Sequence, residues 1–257
     1  MSQHLLIIDP QNDFCDIPGA ALPVTGADAD MRRLAALIRE PDAQIDAITV
    51  TLDSHQRLDI AHPGFWQKGT SAQGESPSPF TQITAAQIRS GEFVPRDANA
   101  LPRALAYAEA LEAQGRYTLM IWPVHCEIGT WGHNVHAELH AALVGWQLAH
   151  QRNISYVIKG TNPWTEHYSA LQAEVPDDDP GTQLNRSLIE ALKGFDHVLV
   201  AGEASSHCVK ATVEHLVEHL KPAQLTLLRE CMSPVGGFEA QAANFLADMQ
   251  KRGVVLA

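Results

Sequence analysis

The chain has 257 residues, of which 45% are hydrophobic, and a formal net charge of −12 from 30 acidic and 18 basic side chains. This length and apolar content favour one domain with a large buried core and exclude a disordered chain. Lys and Arg form no stripe that could track phosphates, which argues against a nucleic-acid partner. Its 4 cysteines lack the short paired spacings of a disulfide scaffold or a zinc ribbon.

The sequence also argues against a membrane partner. No apolar run approaches the roughly 20 residues that a transmembrane helix requires. No basic and apolar leader precedes the first predicted strand. We therefore expect a soluble, cytoplasmic protein.

Short apolar runs alternate with helical patterns along the chain, which predicts parallel strands joined by right-handed crossovers. Six runs have the length and composition of strands: Leu5–Ile8, Ile45–Thr51, Tyr156–Ile158, His197–Ala201, Leu225–Leu228 and Val254–Leu256. Five segments have helical apolar spacing: Ala27–Arg39, Val135–Arg152, Gln183–Lys193, His207–Leu220 and Phe238–Arg252. The prediction is an α/β protein, a single-domain three-layer αβα fold with a six-stranded, mostly parallel sheet.

One stretch, about residues 63–121, breaks this alternation with segments rich in Pro, Gly, Ser and Gln. It contains one amphipathic pattern, near Pro102–Gln114, that predicts a helix. We interpret the stretch as a long insertion beside the active site, within a single domain that spans residues 1–257. A lid, a dimer contact and a specificity loop are all open as its role.

Reactive side chains follow four of the predicted strands, in chain order Asp9, then Asp53 with His55, then Lys159, and Cys208 after one tight loop. In open parallel sheets, ligands bind outside the carboxyl ends of the strands, where such side chains converge. Taken singly, each has a simpler interpretation as a turn cap, a solvated lysine or a core thiol. The combination favours an active site.

Cys208 lies where a helix is predicted to begin, next to an Ala-Gly turn that ends a strand. The helix N-terminus and a nearby lysine are expected to lower the pKa of the thiol. The backbone N–H groups of Ala204 and Cys208 could bind an oxyanion. Asp9 is the natural proton acceptor and Lys159 would keep it ionised, although an ordinary buried ion pair is the alternative.

A metal site is suggested by Asp53 and His55, which point the same way on an extended segment, and by His62 and His125 further along. In a chain with 13 histidines such a pattern also arises by chance. A solvated loop position for His55 is the alternative.

Five sequence elements, in this order and spacing, resemble the nicotinamidase branch of the isochorismatase-like cysteine hydrolases: IIDPQNDFCDIPGAALPVTGA, TLDSH, WPVHCEIGT, VIKG followed by HYSAL, and GEASSHCV. The resemblance implies a catalytic triad of Asp9, Lys159 and Cys208. It also implies a nonproline cis peptide bond between Glu203 and Ala204.

The same resemblance implies a divalent metal ion, with zinc as the first choice and iron or manganese as alternatives. Its ligands would be Asp53, His55 and His125, with His62 as an additional candidate. Aromatic side chains would hold the substrate ring, and by motif position these are Phe14, Trp122 and Tyr168. Core packing is the alternative for these three aromatic residues.

The function expected from the resemblance is metal-assisted hydrolysis of nicotinamide, or of a related heteroaromatic amide, to the acid and ammonia through a thioester. Glu203 stands where the family usually has an apolar residue, which leaves another small amide, ureide or carbamoyl compound as an alternative substrate. A nonenzymatic metal-binding or scaffold protein is the less favoured reading. The expected partners are a small-molecule amide and further copies of the chain.

Overall fold

Six parallel strands form the centre of the computed structural model, which describes residues 1–41, 43–69 and 74–257. Their order in the sheet is β10-β9-β8-β1-β2-β7, and every pair of neighbours is parallel. The strands are β1 (Gln3–Ile8), β2 (Ala47–Asp53), β7 (Ser155–Lys159), β8 (His197–Gly202), β9 (Leu225–Leu227) and β10 (Val255–Leu256). The predicted α/β fold class is confirmed.

Helices cover both faces of this sheet. They are α1 (Ala27–Arg39), α3 (Leu101–Ala113), α4 (Ala137–His150), α5 (Arg186–Lys193), α6 (Cys208–His219) and α7 (Glu239–Lys251). Alternate residues of β1 face opposite sides: Leu5 and Ile7 pack with α1 and α4, and Leu6 and Ile8 pack with α6 and α7. This alternation is the two-residue period of a strand that is buried on both faces.

The stretch that was interpreted as an insertion packs onto one face of the sheet. It contributes α2 (Ala85–Ser90), α3 and four short strands, β3 (Trp66–Lys68), β4 (Thr81–Ile83), β5 (Phe93–Pro95) and β6 (Leu119–Ile121). Its apolar side chains, among them Ile83, Phe93 and Leu111, belong to the same core as Leu6 and Ile8. Residues 70–73 of this stretch lie outside the described residues.

None of the helices in the described part of the chain is both long and apolar enough to cross a membrane.

The tightest backbone contact at the active-site end of the sheet involves Gly202. It has a φ of 109°, and a Cβ placed on it would lie 2.0 Å from the carbonyl oxygen of Ile8. We expect Gly202→Ala to lower the free energy of unfolding by more than about 2 kcal/mol, because both the conformation and the space exclude a side chain.

Urea denaturation measures the free energy of unfolding of Gly202→Ala, with Gly145→Ala as the control. Gly145 lies in α4 with no atom within 4 Å of the added Cβ, so that variant should gain up to about 1 kcal/mol. Equal effects of the two substitutions would contradict the steric explanation.

Candidate active site

Lys159 lies at the centre of a buried cluster of polar side chains. Its Nζ is 2.8 Å from Asp9 Oδ2, 3.0 Å from Asp53 Oδ1 and 3.7 Å from Cys208 Sγ. It also donates to the His167 carbonyl at 2.9 Å. The register of the sheet explains this meeting, since Asp53 and Lys159 are paired across β2 and β7. The structure thus brings the three predicted triad residues together.

Asp9 is fully buried just after β1, and Thr51 fixes its carboxylate. The Thr51 hydroxyl donates to Asp9 Oδ1 and accepts a hydrogen bond from the Asp9 backbone N–H at 3.0 Å. Burial raises the pKa of Asp9, against the opposing effect of Lys159. Burial also disfavours the charged Lys159, but Asp53 and Asp9 outweigh it and raise the lysine pKa well above its usual range. Lys159 is therefore a permanent cation and Asp9 a carboxylate that can take up a proton.

Cys208 is the first residue of α6, as predicted, but the expected lowering of its pKa is wrong. Burial raises the pKa of the thiol well above its usual value, and this outweighs the stabilising charge of Lys159. The nearby carboxylates of Asp9 and Asp53 raise it further. This raised pKa favours the protonated thiol over the thiolate at neutral pH.

The predicted metal ligands also meet at one point. Ring nitrogens of His55, His62 and His125 lie within 4.8 Å of one another. Asp53 Oδ2 is 3.0 Å from His55 Nε2 and 3.5 Å from His125 Nε2. One carboxylate oxygen and three imidazole nitrogens form a donor set that suits zinc and related divalent ions.

Neighbouring groups aim these imidazoles inward. His125 Nδ1 donates to the Pro123 carbonyl at 2.8 Å, and His55 Nδ1 is 3.0 Å from Asp59 Oδ2. Both residues therefore present Nε2 to the cluster, as metal-binding histidines do. Both ring nitrogens of His62 are buried without a hydrogen-bond partner among the described residues. An unpaired buried ring is costly, and a metal ion would satisfy it.

Asp59 and Glu166 approach His55 from outside this cluster, in a second group whose ligand atoms lie within 4.8 Å. Burial raises the pKa of Glu166 to about 8, so Glu166 is a neutral acid near pH 7 and a poor ligand. The Asp59 carboxylate already accepts hydrogen bonds from His55 Nδ1 and from the Ala61 backbone N–H. We assign both to the support of the cluster.

A cavity of about 30 Å³ separates the metal-ligand set from the thiol. Its wall contains Asp53, His125, Ala204 and Cys208 together with the three predicted aromatic residues, Phe14, Trp122 and Tyr168. A wider cavity of about 390 Å³ adjoins it and shares Tyr168 and His207. These two rings therefore stand between the catalytic cavity and the wider one.

The sequence prediction missed other residues of this site. The cavity is also lined by Leu22, Glu166, His207 and Val235. The side-chain amide of Gln11 holds the backbone of Asp53: its oxygen accepts from the Asp53 N–H and its nitrogen donates to the Asp53 carbonyl, both at 2.7 Å. His207 directly precedes the predicted nucleophile, and this adjacency was the available signal. The implied cis peptide bond between Glu203 and Ala204 is present.

Comparison with known proteins finds two curated relatives, both named as nicotinamidases. No family model matches the sequence. The nicotinamidase of Saccharomyces cerevisiae is 24% identical over 208 residues, which are 81% of this chain and 78% of that protein. The nicotinamidase/pyrazinamidase of Mycobacterium tuberculosis is 26% identical over 215 residues, 84% of this chain and 78% of that protein.

Solved structures show the same fold. The yeast nicotinamidase Pnc1p matches with a TM-score of 0.69 at 22% identity and 99% coverage of both chains. The pyrazinamidase of Pyrococcus horikoshii in complex with zinc matches with a TM-score of 0.57 at 20% identity, over 100% of this chain and 99% of that one.

Fold and site together define an α/β protein with a buried cysteine, lysine and aspartate beside a set of metal-binding side chains. The chain is similar in sequence to nicotinamidases and shares the fold of solved nicotinamidase and pyrazinamidase structures. The resemblance that the sequence motifs indicated is thereby confirmed.

The two unpaired ring nitrogens of His62 give a test of the metal site. We expect His62→Leu to weaken zinc binding by about tenfold or more. Without added metal, the same variant should be at least as stable as the wild type, because it removes unpaired buried polar atoms.

Zinc titration and thermal denaturation with and without chelator measure both effects. His133→Ala is the control, since His133 Nε2 pairs with Ser54 Oγ at 2.8 Å outside the ligand group. Wild-type zinc affinity in His62→Leu would remove His62 from the ligand set.

Proposed function

We propose that this protein is a cysteine amidohydrolase that converts nicotinamide, or a closely related heteroaromatic amide, to the acid and ammonia. The observation that carries the proposal is the contact of the Lys159 ammonium with Asp9 at 2.8 Å and with the Cys208 thiol at 3.7 Å. This group lies against a small cavity whose opposite wall holds metal-ligating side chains. The named activities of the relatives support the choice of substrate.

Attack by the thiol begins the reaction. Because the pKa of Cys208 is raised, Sγ loses its proton to Asp9 as it bonds to the amide carbon. The raised pKa of Asp9 makes it a better acceptor than an exposed carboxylate. Lys159 stays charged and stabilises the negative charge that passes from Asp9 to sulfur and then to the substrate oxygen.

Two backbone N–H groups, of Ala204 and Cys208, are assigned to the oxyanion of the tetrahedral intermediate. Cys208 is the first residue of α6, so its N–H has no carbonyl partner within the helix. Asp9 returns the proton to the departing ammonia, and a water molecule then hydrolyses the thioester with Asp9 as the base.

Asp53, His55, His62 and His125 would hold a divalent ion, and we propose zinc. When bound, such an ion would supply a Lewis acid beside the cavity, able to attract a ring nitrogen of the substrate. Phe14, Trp122 and Tyr168 supply apolar walls for the ring, and the Trp122 indole N–H donates to the Tyr168 hydroxyl at 3.1 Å, which fixes both rings.

Glu166 favours a second candidate, a cysteine hydrolase of another small amide, ureide or carbamoyl compound. Its carboxyl group faces the cavity, and Oε1 has no partner among the described residues. A neutral acid at this position can donate to a polar substituent that nicotinamide lacks. An ammonia-release panel of heteroaromatic amides, ureides and carbamoyl compounds, ranked by kcat/KM, distinguishes the two candidates.

Replacement of the nucleophile tests the chemistry. We expect Cys208→Ala to lower kcat for nicotinamide by roughly 10⁴-fold or more, because no other group can form the thioester. Cys231→Ala, a buried cysteine away from the cavity, serves as the control and should retain activity. Ammonia release by zinc-loaded Cys208→Ala at the wild-type rate would exclude covalent catalysis.

We further propose that the chain forms a homodimer through the β7 edge of the sheet. Tyr156 and Ile158 are 46% and 52% exposed, and their register with Val50 and Leu52 places them on the α4 face. Leu148 on α4 is 69% exposed. An unpaired apolar edge strand invites another strand, and the same edge of a second copy is self-complementary under twofold symmetry.

Light scattering after size-exclusion chromatography tests the dimer. The variant with both Leu148→Glu and Ile158→Glu should elute as a monomer, since like charges would meet across the twofold axis. Leu58→Glu, at a site 64% exposed elsewhere, should leave the assembly unchanged. A monomeric wild-type protein at micromolar concentration would exclude this interface.

A further inference from the structure

A hydrogen-bonded clamp joins the loop before Cys208 to the segment that carries Val235. The Ser233 backbone N–H donates to Glu203 Oε2 at 3.0 Å, and the Ser233 carbonyl accepts from the Ser205 N–H at 2.9 Å. Glu203 and Ser205 flank Ala204 in the chain. Both neighbours of Ala204 are therefore tied to one residue.

The clamp is anchored to the sheet and to α1. The Glu203 N–H donates to the carbonyl of Ile8 at 2.8 Å, at the end of the central strand. On the other side, the Ser233 hydroxyl donates to Asp30 Oδ2, and Asp30 forms an ion pair with Arg33. The loop that contains Ala204 is thus hydrogen-bonded to the central strand on one side and, through Ser233, to α1 on the other.

The Glu203 side chain is fully buried, and its Oε1 has no hydrogen-bond donor among the described residues. Burial raises its pKa well above the usual range, and the Asp30 and Asp16 carboxylates raise it further. In its neutral form Glu203 still accepts from the Ser233 backbone N–H through Oε2.

We propose that Glu203 is a positioning residue: by holding Ser233, it sets the backbone N–H of Ala204 against the carbonyl oxygen of the bound substrate. This inference rests on the proposed amide hydrolysis. Glu203 lies behind the loop and does not line the cavity, so it acts on the reaction only through Ala204.

Stability alone is a poor reason for an acid at this position. A buried polar network is commonly no more stable than apolar side chains of the same size. A leucine would fill much the same space. Leucine cannot accept a hydrogen bond from the Ser233 N–H. Glutamate and leucine at position 203 should therefore differ in how they orient the loop.

Two substitutions separate positioning from packing. Glu203→Leu leaves the Ser233 N–H without its acceptor, and we expect kcat for nicotinamide to fall by about 10- to 100-fold, with KM within about threefold. Glu203→Gln keeps the clamp, because its amide oxygen can accept from the same Ser233 N–H. It should restore kcat to within about threefold of the wild type.

Readouts other than turnover complete the test. Inhibition by pyridine, which has the ring but no carbonyl oxygen, should be equal in all three proteins, since its binding does not use the oxyanion donors. Acylation by p-nitrophenyl acetate, with Cys208→Ala as the blank, should slow in Glu203→Leu in parallel with kcat, because it passes through the same oxyanion. Circular dichroism checks folding, and Glu203→Met replaces Glu203→Leu if the branched side chain does not fit.

Wild-type kcat in the apolar variant, or an equal loss in Glu203→Leu and Glu203→Gln, would overturn the proposal while nicotinamide hydrolysis stands. A wild-type protein that is acylated by the ester but leaves nicotinamide intact would refute the proposed substrate instead. In that case slow acylation of Glu203→Leu and its recovery in Glu203→Gln still support the clamp, and equal acylation of all three proteins overturns it.

Discussion

The burial of one ammonium group between two carboxylates is the constraint on which the site depends. Lys159 is 2% exposed, and Asp9 and Asp53 lie 2.8 Å and 3.0 Å from its Nζ. An isolated lysine at this depth would lose its proton, and an isolated carboxylate pair would gain one. The two acids serve different purposes, since Asp9 faces the thiol and Asp53 faces the histidines. The lysine therefore links the two acids through charge alone, and loss of either acid would leave one of its ion pairs unmade.

The same burial explains the state of the nucleophile. A helix N-terminus and an ammonium favour a thiolate, and both are present, yet desolvation and two acids outweigh them. A thiol with a raised pKa is protected from oxidation and alkylation, which require thiolate. Burial also raises the pKa of Asp9, which makes this carboxylate a better acceptor for the thiol proton than an exposed one. Reactivity then depends on a substrate carbonyl at the oxyanion site, where Ala204 must be correctly placed.

Sequence patterns predicted the sheet and its helices because each strand is a short apolar run bounded by polar or glycine residues. They missed β3 to β6, since strands of 3 residues carry no period that can be read. The residues at strand ends were found because the topology of a parallel sheet dictates where they meet. Asp59 and Glu166 lie on loops. The four-residue spacing from His55 to Asp59 was a usable signal, but nothing in the local sequence indicates that Glu166 turns toward His55. The thiol pKa was wrong because burial is a property of the folded chain.

The insertion reaches the catalytic group without supplying a catalytic residue. In α3, the Tyr107 hydroxyl accepts from the Glu166 backbone N–H at 3.1 Å, and Gln114, just after the helix, donates to the Glu174 carbonyl at 2.7 Å. Both contacts hold the loop that follows β7, and this loop places the His167 carbonyl 2.9 Å from Lys159 Nζ. A carbonyl there completes the hydrogen bonding of the ammonium, whose other partners are the two acids and the thiol. The helix therefore stabilises the charged state of Lys159 from a distance, through the loop that follows β7.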